Sequence, residues 1–249
     1  KKVINMLEID RFEKILFELN EKKRMTYKEL DNVIDVSLST IKRDIEKMER
    51  KGLLNKIKGG ISKINDIRSD KEVEERFGEN INEKKEISVK AFKVIKNDDF
   101  IYLDAGTTVF YLIDKLKNKN ITVVTNGVMH IEELTKNKIK TIIIGGEVKY
   151  TTKAIVGAGA IESLEKYRFD KCFIGVNGID EKHGFTTPEL NEAIIKKKVL
   201  ELSNMKYILA DKTKFDRVSN IQFSTMDNCK IITSDEAIKK HNKYKKFFL

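Results

Sequence analysis

The stretch Ser37-Leu38-Ser39-Thr40-Ile41-Lys42-Arg43-Asp44-Ile45, followed by Gly59-Gly60, constrains this chain more than any other feature. Ser37 is placed to cap a helix by accepting a backbone N–H from its first turn. Ile41, Ile45 and Met48 fall at i, i+4 and i+7, one apolar stripe for a core. The other faces carry Ser39, Thr40, Lys42, Arg43, Lys47 and Arg50, the short hydroxyls and long cations that bond phosphates and base edges. Gly52 stands where a helix ends, Leu53 and Leu54 open a strand, and Lys56, Lys58, Gly59 and Gly60 make a tight basic turn. The pattern predicts a winged helix-turn-helix and implies double-stranded DNA as its partner.

Charge placement agrees. Residues 1–36 hold eight Lys/Arg and eight Asp/Glu, whereas residues 37–60 hold seven Lys/Arg against three acids. The basic excess of the first sixty residues therefore sits on the third helix and the turn after it. Upstream, Phe12, Ile15, Leu16 and Leu19 are spaced for a first helix. Thr26-Tyr27-Lys28-Glu29 is a capping box for a second, with Leu30, Val33 and Ile34 on its apolar side. Three helices and a wing fill a DNA-binding domain over 1–62. Met6-Leu7-Glu8 reads as a natural start preceded by an extension.

At 249 residues the chain has room for a second domain. Residues 63–82 are polar with little periodicity and read as the connection; residues 83–249 read as the second domain. A helix from Glu83 to about Lys96 comes first. Apolar runs then recur at Phe100–Leu103, Thr122–Thr125, Thr141–Ile144, Lys171–Val176, Tyr207–Ala210 and Lys230–Thr233, with helical stretches between them. Short apolar strands alternating with helices predict an α/β fold whose parallel sheet is covered on both faces. Pro188 is placed at the first turn of the last long helix.

In such sheets ligands bind at the carboxyl ends of the strands. Those ends read Asp104-Ala105-Gly106-Thr107-Thr108, Thr125-Asn126-Gly127, Gly145-Gly146-Glu147, Gly175-Val176-Asn177-Gly178-Ile179-Asp180 and Asp211-Lys212-Thr213-Lys214. Glycine admits close approach of an anion to the backbone, and hydroxyls with helix N–H groups bond phosphate oxygens. The set predicts a small anionic polyhydroxy ligand. His183 lies near it, but no second ligand stands at metal-binding spacing, so neither a metal nor a cofactor is expected. Cys172 and Cys229 lie far apart in apolar runs and read as buried free thiols of a reducing compartment. With no run of about 18 apolar residues and no signal peptide, no membrane span is expected and the protein is read as cytoplasmic.

Both halves resemble the DeoR family of bacterial transcription regulators. The N-terminal likeness is carried by Val36-Ser37, Thr40-Ile41-Lys42-Arg43-Asp44-Ile45, Gly52-Leu53-Leu54 and Gly59-Gly60. That of the second half runs through Arg76, Asn80, Glu83-Lys84, Asp104-Ala105-Gly106-Thr107-Thr108, Thr125-Asn126, Gly145-Gly146-Glu147 and Gly157. It continues through Gly175, Gly178-Ile179-Asp180, Gly184, Thr186-Thr187, Glu192-Ala193, Lys196 and Asp211-Lys212-Thr213-Lys214-Phe215. The family joins a winged helix-turn-helix to a sensor domain similar to ribose-phosphate isomerase and CoA-transferase folds. Two positions depart: Lys42 where arginine is usual, which loses the bidentate fork to guanine, and Gly127 where a serine or other small residue is common.

The resemblance implies a repressor of a carbohydrate operon, acting as a homo-oligomer (dimer or tetramer) on half-sites about 34–36 Å apart, with a phosphorylated sugar or polyol as effector. Residue by residue, Ser39, Thr40 and Arg43 would read base edges beside the cap Ser37, and Lys42, Lys47, Lys56 and Lys58 would hold DNA phosphates. Gly106, Thr107 and Thr108 would hold the effector's phosphate, with Lys214 as a cation. Asp104, Asn126, Asn177 and Asp180 would hold its hydroxyls, and Gly145 and Gly146 would border the site. Glu192 and Lys196 are either part of it or a surface i,i+4 pair. The rival reading is a sugar-phosphate isomerase with a DNA-binding appendage. Such isomerases carry an Asp-Gly-Ala-Asp-Glu run, and the similar stretch here, Asn177-Gly178-Ile179-Asp180-Glu181, has an amide in place of the first carboxylate.

Overall fold

The computed structural model describes residues 7–22, 24–34, 36–51, 53–57, 59–62 and 73–249. Gly52, Lys58 and the proposed start at Met6 lie outside them. The chain divides into two units, Lys1–Asp66 and Ile67–Leu249.

The first unit runs α1 (Glu8–Lys22), β1 (Arg24–Thr26), α2 (Tyr27–Val33), α3 (Leu38–Arg50), β2 (Asn55–Ile57) and β3 (Gly60–Ser62). The caps form as their sequences dictate. Thr26 Oγ1 accepts from Glu29 N at 3.2 Å while Thr26 N donates to Glu29 Oε2 at 2.7 Å, closing the capping box. Ser37 Oγ accepts from Thr40 N at 3.3 Å and starts α3. Ile15, Leu19, Leu30, Ile34, Ile41, Ile45 and Met48 meet in one core. The strands form an antiparallel sheet in the order β1-β3-β2. Leu53-Leu54 does not open the strand as expected: Leu54 is buried in the core and β2 begins at Asn55. Gly60 is demanded by close approach, since a Cβ there would stand 2.0 Å from the Met25 carbonyl oxygen.

The second unit begins earlier than its periodicity predicts. Residues 73–82, read as connection, contain α4 (Val73–Phe77), whose Val73 is buried, and the start of α5 (Ile81–Phe92). The chain continues through β4 (Phe100–Leu103), α6 (Thr107–Ile113), β5 (Thr122–Thr125), α7 (His130–Lys136), β6 (Lys140–Ile143), β7 (Glu147–Lys149), β8 (Ala154–Val156), α8 (Ala158–Glu165) and β9 (Phe169–Gly175). It closes with β10 (Gly178–Asp180), β11 (Gly184–Thr187), α9 (Leu190–Glu201), β12 (Ser203–Leu209), β13 (Ile221–Ser224), β14 (Lys230–Ile232) and α10 (Asp235–Lys240). Six of these strands form the parallel sheet, in the order β14-β12-β9-β4-β5-β6.

Alternation along the strands divides the core. Ile101, Leu103, Val123 and Leu209 pack with Ile87 and Ala91 of α5 and Val109 and Leu112 of α6. Tyr102, Val124, Ile174 and Ile208 pack on the other side with Leu164 of α8 and Ile195 and Val199 of α9. Glu189 caps α9 by accepting from Asn191 N and Glu192 N, so Pro188 precedes the helix rather than opening it. Cys172 and Cys229 are buried free thiols whose pKa values burial pushes up to about 12 and about 11. No helix among the described residues is long and apolar enough to cross a membrane.

Candidate functional site

On the first unit, α3 buries Ile41, Asp44, Ile45 and Met48 and turns its remaining faces outward. Ser37 Oγ lies 2.8 Å from both Ser39 Oγ and Thr40 Oγ1, an exposed cluster of three hydroxyls at the helix start. Arg43 is exposed, and Lys42 places its ammonium 5.7 Å from the centre of the Tyr27 ring. Two of the expected phosphate contacts are engaged within the unit. Lys47 pairs with Glu8, whose carboxyl it holds below the ordinary range, and Lys56 Nζ lies 3.3 Å from Glu46 Oε1. Exposed pairs of this kind are weak in water, so a DNA phosphate can displace either carboxylate. Lys58 lies outside the described residues.

On the second unit, Asp104, Ala105, Gly106, Asn126, Gly175 and Asn177, at the carboxyl ends of β4, β5 and β9, line one cleft. Asp104 is its buried centre: Oδ2 accepts from Lys196 Nζ at 2.6 Å and from Gly175 N at 2.9 Å. Gly175 has little room to be anything else, because a Cβ there would lie 3.2 Å from that same oxygen. Asn126 is fixed at both ends, Oδ1 accepting from Ala105 N at 3.0 Å and Nδ2 donating to Ile155 O at 3.2 Å. Asn177 Oδ1 accepts from Thr187 Oγ1 at 3.2 Å. Gly106 starts α6 with no side-chain cap, which leaves the helix's first N–H groups without one; Thr107 and Thr108, expected to hold a phosphate, are buried and are not among the cleft's lining residues.

Glu192 and Lys196 are not a surface pair: both are buried, and each faces a different partner. Glu192 Oε1 accepts from Thr152 Oγ1 at 2.7 Å and from Lys149 Nζ at 3.1 Å. Burial pushes the Glu192 carboxyl upward, but the charges of Lys196 and Lys149 and these hydrogen bonds outweigh it and hold the group below the usual range.

Several expected residues lie elsewhere. Asp180 is not among the cleft's lining residues. Its Oδ1 accepts from Lys182 N and His183 N at 3.0 Å each and lies 2.7 Å from His183 Nδ1, so it closes the turn between β10 and β11. Gly145 and Gly146 do not line the cleft either. Gly146 has φ 145° and packs where a Cβ would stand 2.6 Å from Val156 O. Lys214 also stands off the lining, 3.9 Å from Asp211 Oδ2, and burial pulls its ammonium below the usual lysine range. Gly127 packs against the buried His130, whose ring a Cβ would meet at 2.9 Å. A larger side chain there would therefore strike the imidazole rather than add a hydroxyl to the cleft.

The residues that sequence reasoning passed over come from elements other than strand ends. Arg76 of α4 and Thr152, between β7 and β8, both line the cleft. Arg76 belongs to the motif that carries the family resemblance, which was the one signal available for it.

Two family models cover the chain: the DeoR-like helix-turn-helix domain over residues 11–66 and the DeoR C-terminal sensor domain over residues 79–236. The chain belongs to the DeoR family. Among its relatives, the uncharacterized HTH-type transcriptional regulator FruR of Bacillus subtilis is 39% identical over 231 residues, 92% of each chain. The HTH-type transcriptional regulator IolR of the same organism is 33% identical over 213 residues, 84% of each. The lactose phosphotransferase system repressor of Staphylococcus aureus is 31% identical over 231 residues, 91% of each. Among solved structures, ribose 5-phosphate isomerase A of Methanocaldococcus jannaschii aligns at 17% identity and a TM-score of 0.42 over 55% of each chain. Membership makes this DeoR-family chain a DNA-binding transcription regulator and not an enzyme.

Proposed function

We propose that the protein represses a carbohydrate operon as a homo-oligomer in the cytoplasm and releases its operator when a phosphorylated sugar or polyol fills the cleft. The observation that carries this reading is the cleft's composition. Asp104, Asn126 and Asn177, each held by neighbours, offer acceptors and donors to several hydroxyls, beside the uncapped turn at Gly106 that suits a phosphate. The lining joins opposite charges in close pairs, which suits a ligand carrying both an anion and many hydroxyls. The isomerase reading is not favoured. Asn177 cannot take a proton, and the carboxylate of Asp180 is turned into a loop with His183.

Fluorescence anisotropy tests the proposal, using DNA from immediately upstream of the gene's own operon against scrambled DNA, with and without a panel of phosphosugars. Specific binding weakened by one phosphosugar is the expected result. Equal binding to both DNAs that collapses with salt would mean phosphate attraction alone. In the same assay Arg43→Ala is expected to cost about 1–3 kcal/mol on specific DNA and little on scrambled DNA. Equal loss on both would remove Arg43 from base reading.

A further inference from the structure

The cleft holds one cation that its own acids leave unmatched. Lys196 gives its charge to Asp104, and Lys149 gives its charge to Glu192. Arg76 lines the same cleft, and among the described residues no carboxylate forms an ion pair with its guanidinium. Its charged neighbours include Lys84 and Lys214, whose ammoniums each feel repulsion from it and attraction from Asp211 and Glu79. A planar guanidinium in this setting matches a phosphate with two parallel N–H···O bonds.

Space gives the second observation. The free volume in the cleft is about 20 Å³, which holds a water molecule and not a sugar phosphate. Full entry of a sugar phosphate therefore requires a lining side chain or element to move. Most of the lining belongs to sheet ends and to α9, which are fixed by the core. α4 differs: it is five residues long, too short to be stable alone, and among the described residues it is held by contacts with separate elements. Val73 N donates to Thr151 O at 2.9 Å, next to the cleft residue Thr152. Lys84 Nζ donates to Arg76 O, and Tyr111 Oη donates to Phe77 O at 3.3 Å. The Phe77 ring meets Phe110 edge-on at 4.9 Å between centres.

From these two observations we infer that Arg76 receives the effector's anionic group and that α4 shifts with it. α4 is then the element through which an occupied cleft acts on the chain leading back to the DNA-binding unit. The inference rests on the effector reading above and adds to it the residue and the moving part. An effector alters an equilibrium only through contacts that differ between the two states, and a guanidinium with no ion-pair partner among the described residues, on a helix too short to stand alone, supplies such a contact.

The chain has no tryptophan, so Phe77→Trp in the full-length protein places a single reporter on α4. Should that variant fail to fold, Tyr111→Trp reports from the other side of the same contact. Calorimetry with inorganic phosphate, glycerol 3-phosphate, hexose monophosphates and the unphosphorylated sugars identifies a binder independently of the reporter. The expected result is an emission shift that saturates with the calorimetric Kd for a phosphorylated ligand and not for its unphosphorylated counterpart. Arg76→Gln should weaken that ligand at least tenfold and abolish the shift, and Arg76→Lys should restore part of both. Undiminished affinity in Arg76→Gln, or a silent reporter at saturation, overturns the inference and leaves the effector reading standing. Calorimetric silence for every phosphorylated ligand removes the effector reading, and the inference with it.

Discussion

Lys84 carries the clearest cost at the scale of a single residue. It is buried, donates to the Arg76 carbonyl, and has its pKa pulled down to about 8 by burial against the attraction of Asp211. An unfolded lysine titrates near 10.4, so between about pH 8 and 10.4 the unfolded chain binds more protons than the folded one. The contribution of Lys84 to stability then rises with pH across that window, because folding no longer has to bury the charge. Thermal melts from pH 7 to 10.5 should show Lys84→Met more stable than the parent at neutral pH by a margin that shrinks as pH rises. Taking the difference cancels the buried thiols of Cys172 and Cys229, whose raised pKa values act in the opposite sense over the same range. Identical profiles would mean that the ammonium is not penalised in the fold. Such costs were beyond reach of the sequence, where Lys84 is one of 49 basic residues. Lys196 shows the same limit. Its spacing from Glu192 is that of an exposed helical pair, and only burial sends the one side chain to Asp104 and the other to Lys149 and Thr152.

Among elements, α3 depends on a partner outside its own sequence. Asp44 sits on the buried side of this helix, and Arg11 of α1 binds it through Nε at 2.6 Å and Nη2 at 3.2 Å. Asp44 holds the guanidinium in its charged state, raising the Arg11 pKa further. Removing Arg11 leaves a carboxylate in the core without a counter-ion, a change that costs about 3–5 kcal/mol. Arg11→Met should therefore melt the first unit at markedly lower temperature and weaken binding to all DNA alike. Unaltered melting would show that Asp44 finds another partner or protonates at little cost. Elements with local signals were legible beforehand. The Thr26–Glu29 box, the Ser37 cap and the six strands of the parallel sheet each follow from neighbours in sequence. β1, the β7–β8 hairpin and the β10–β11–β13 sheet did not, because pairing, more than any apolar run of their own, makes them strands. α4 escaped for a related reason: five residues hold no period, and its contacts come from Thr151, Tyr111 and Lys84.

For the molecule as a whole, two units share one chain and one free-energy cycle. A DNA-binding unit and a sensor unit of this kind are useful only if occupancy of one changes the affinity of the other. Such coupling is reciprocal for equilibrium binding: the factor by which effector weakens operator DNA equals the factor by which operator weakens effector. Typical couplings of about 5–150-fold lie well within calorimetric range. Titrating the effector into the protein alone, and then into the protein saturated with operator duplex, should give affinities that differ by the same factor as the two operator affinities measured by anisotropy. Scrambled duplex at equal salt should leave effector affinity unchanged, since phosphate contacts alone do not select one state of the protein. A mismatch between the two factors would mean that a third equilibrium, most directly subunit association, is linked to one ligand and not the other. Repeating both titrations across a range of protein concentrations separates these cases, because only an association step makes the apparent coupling depend on concentration.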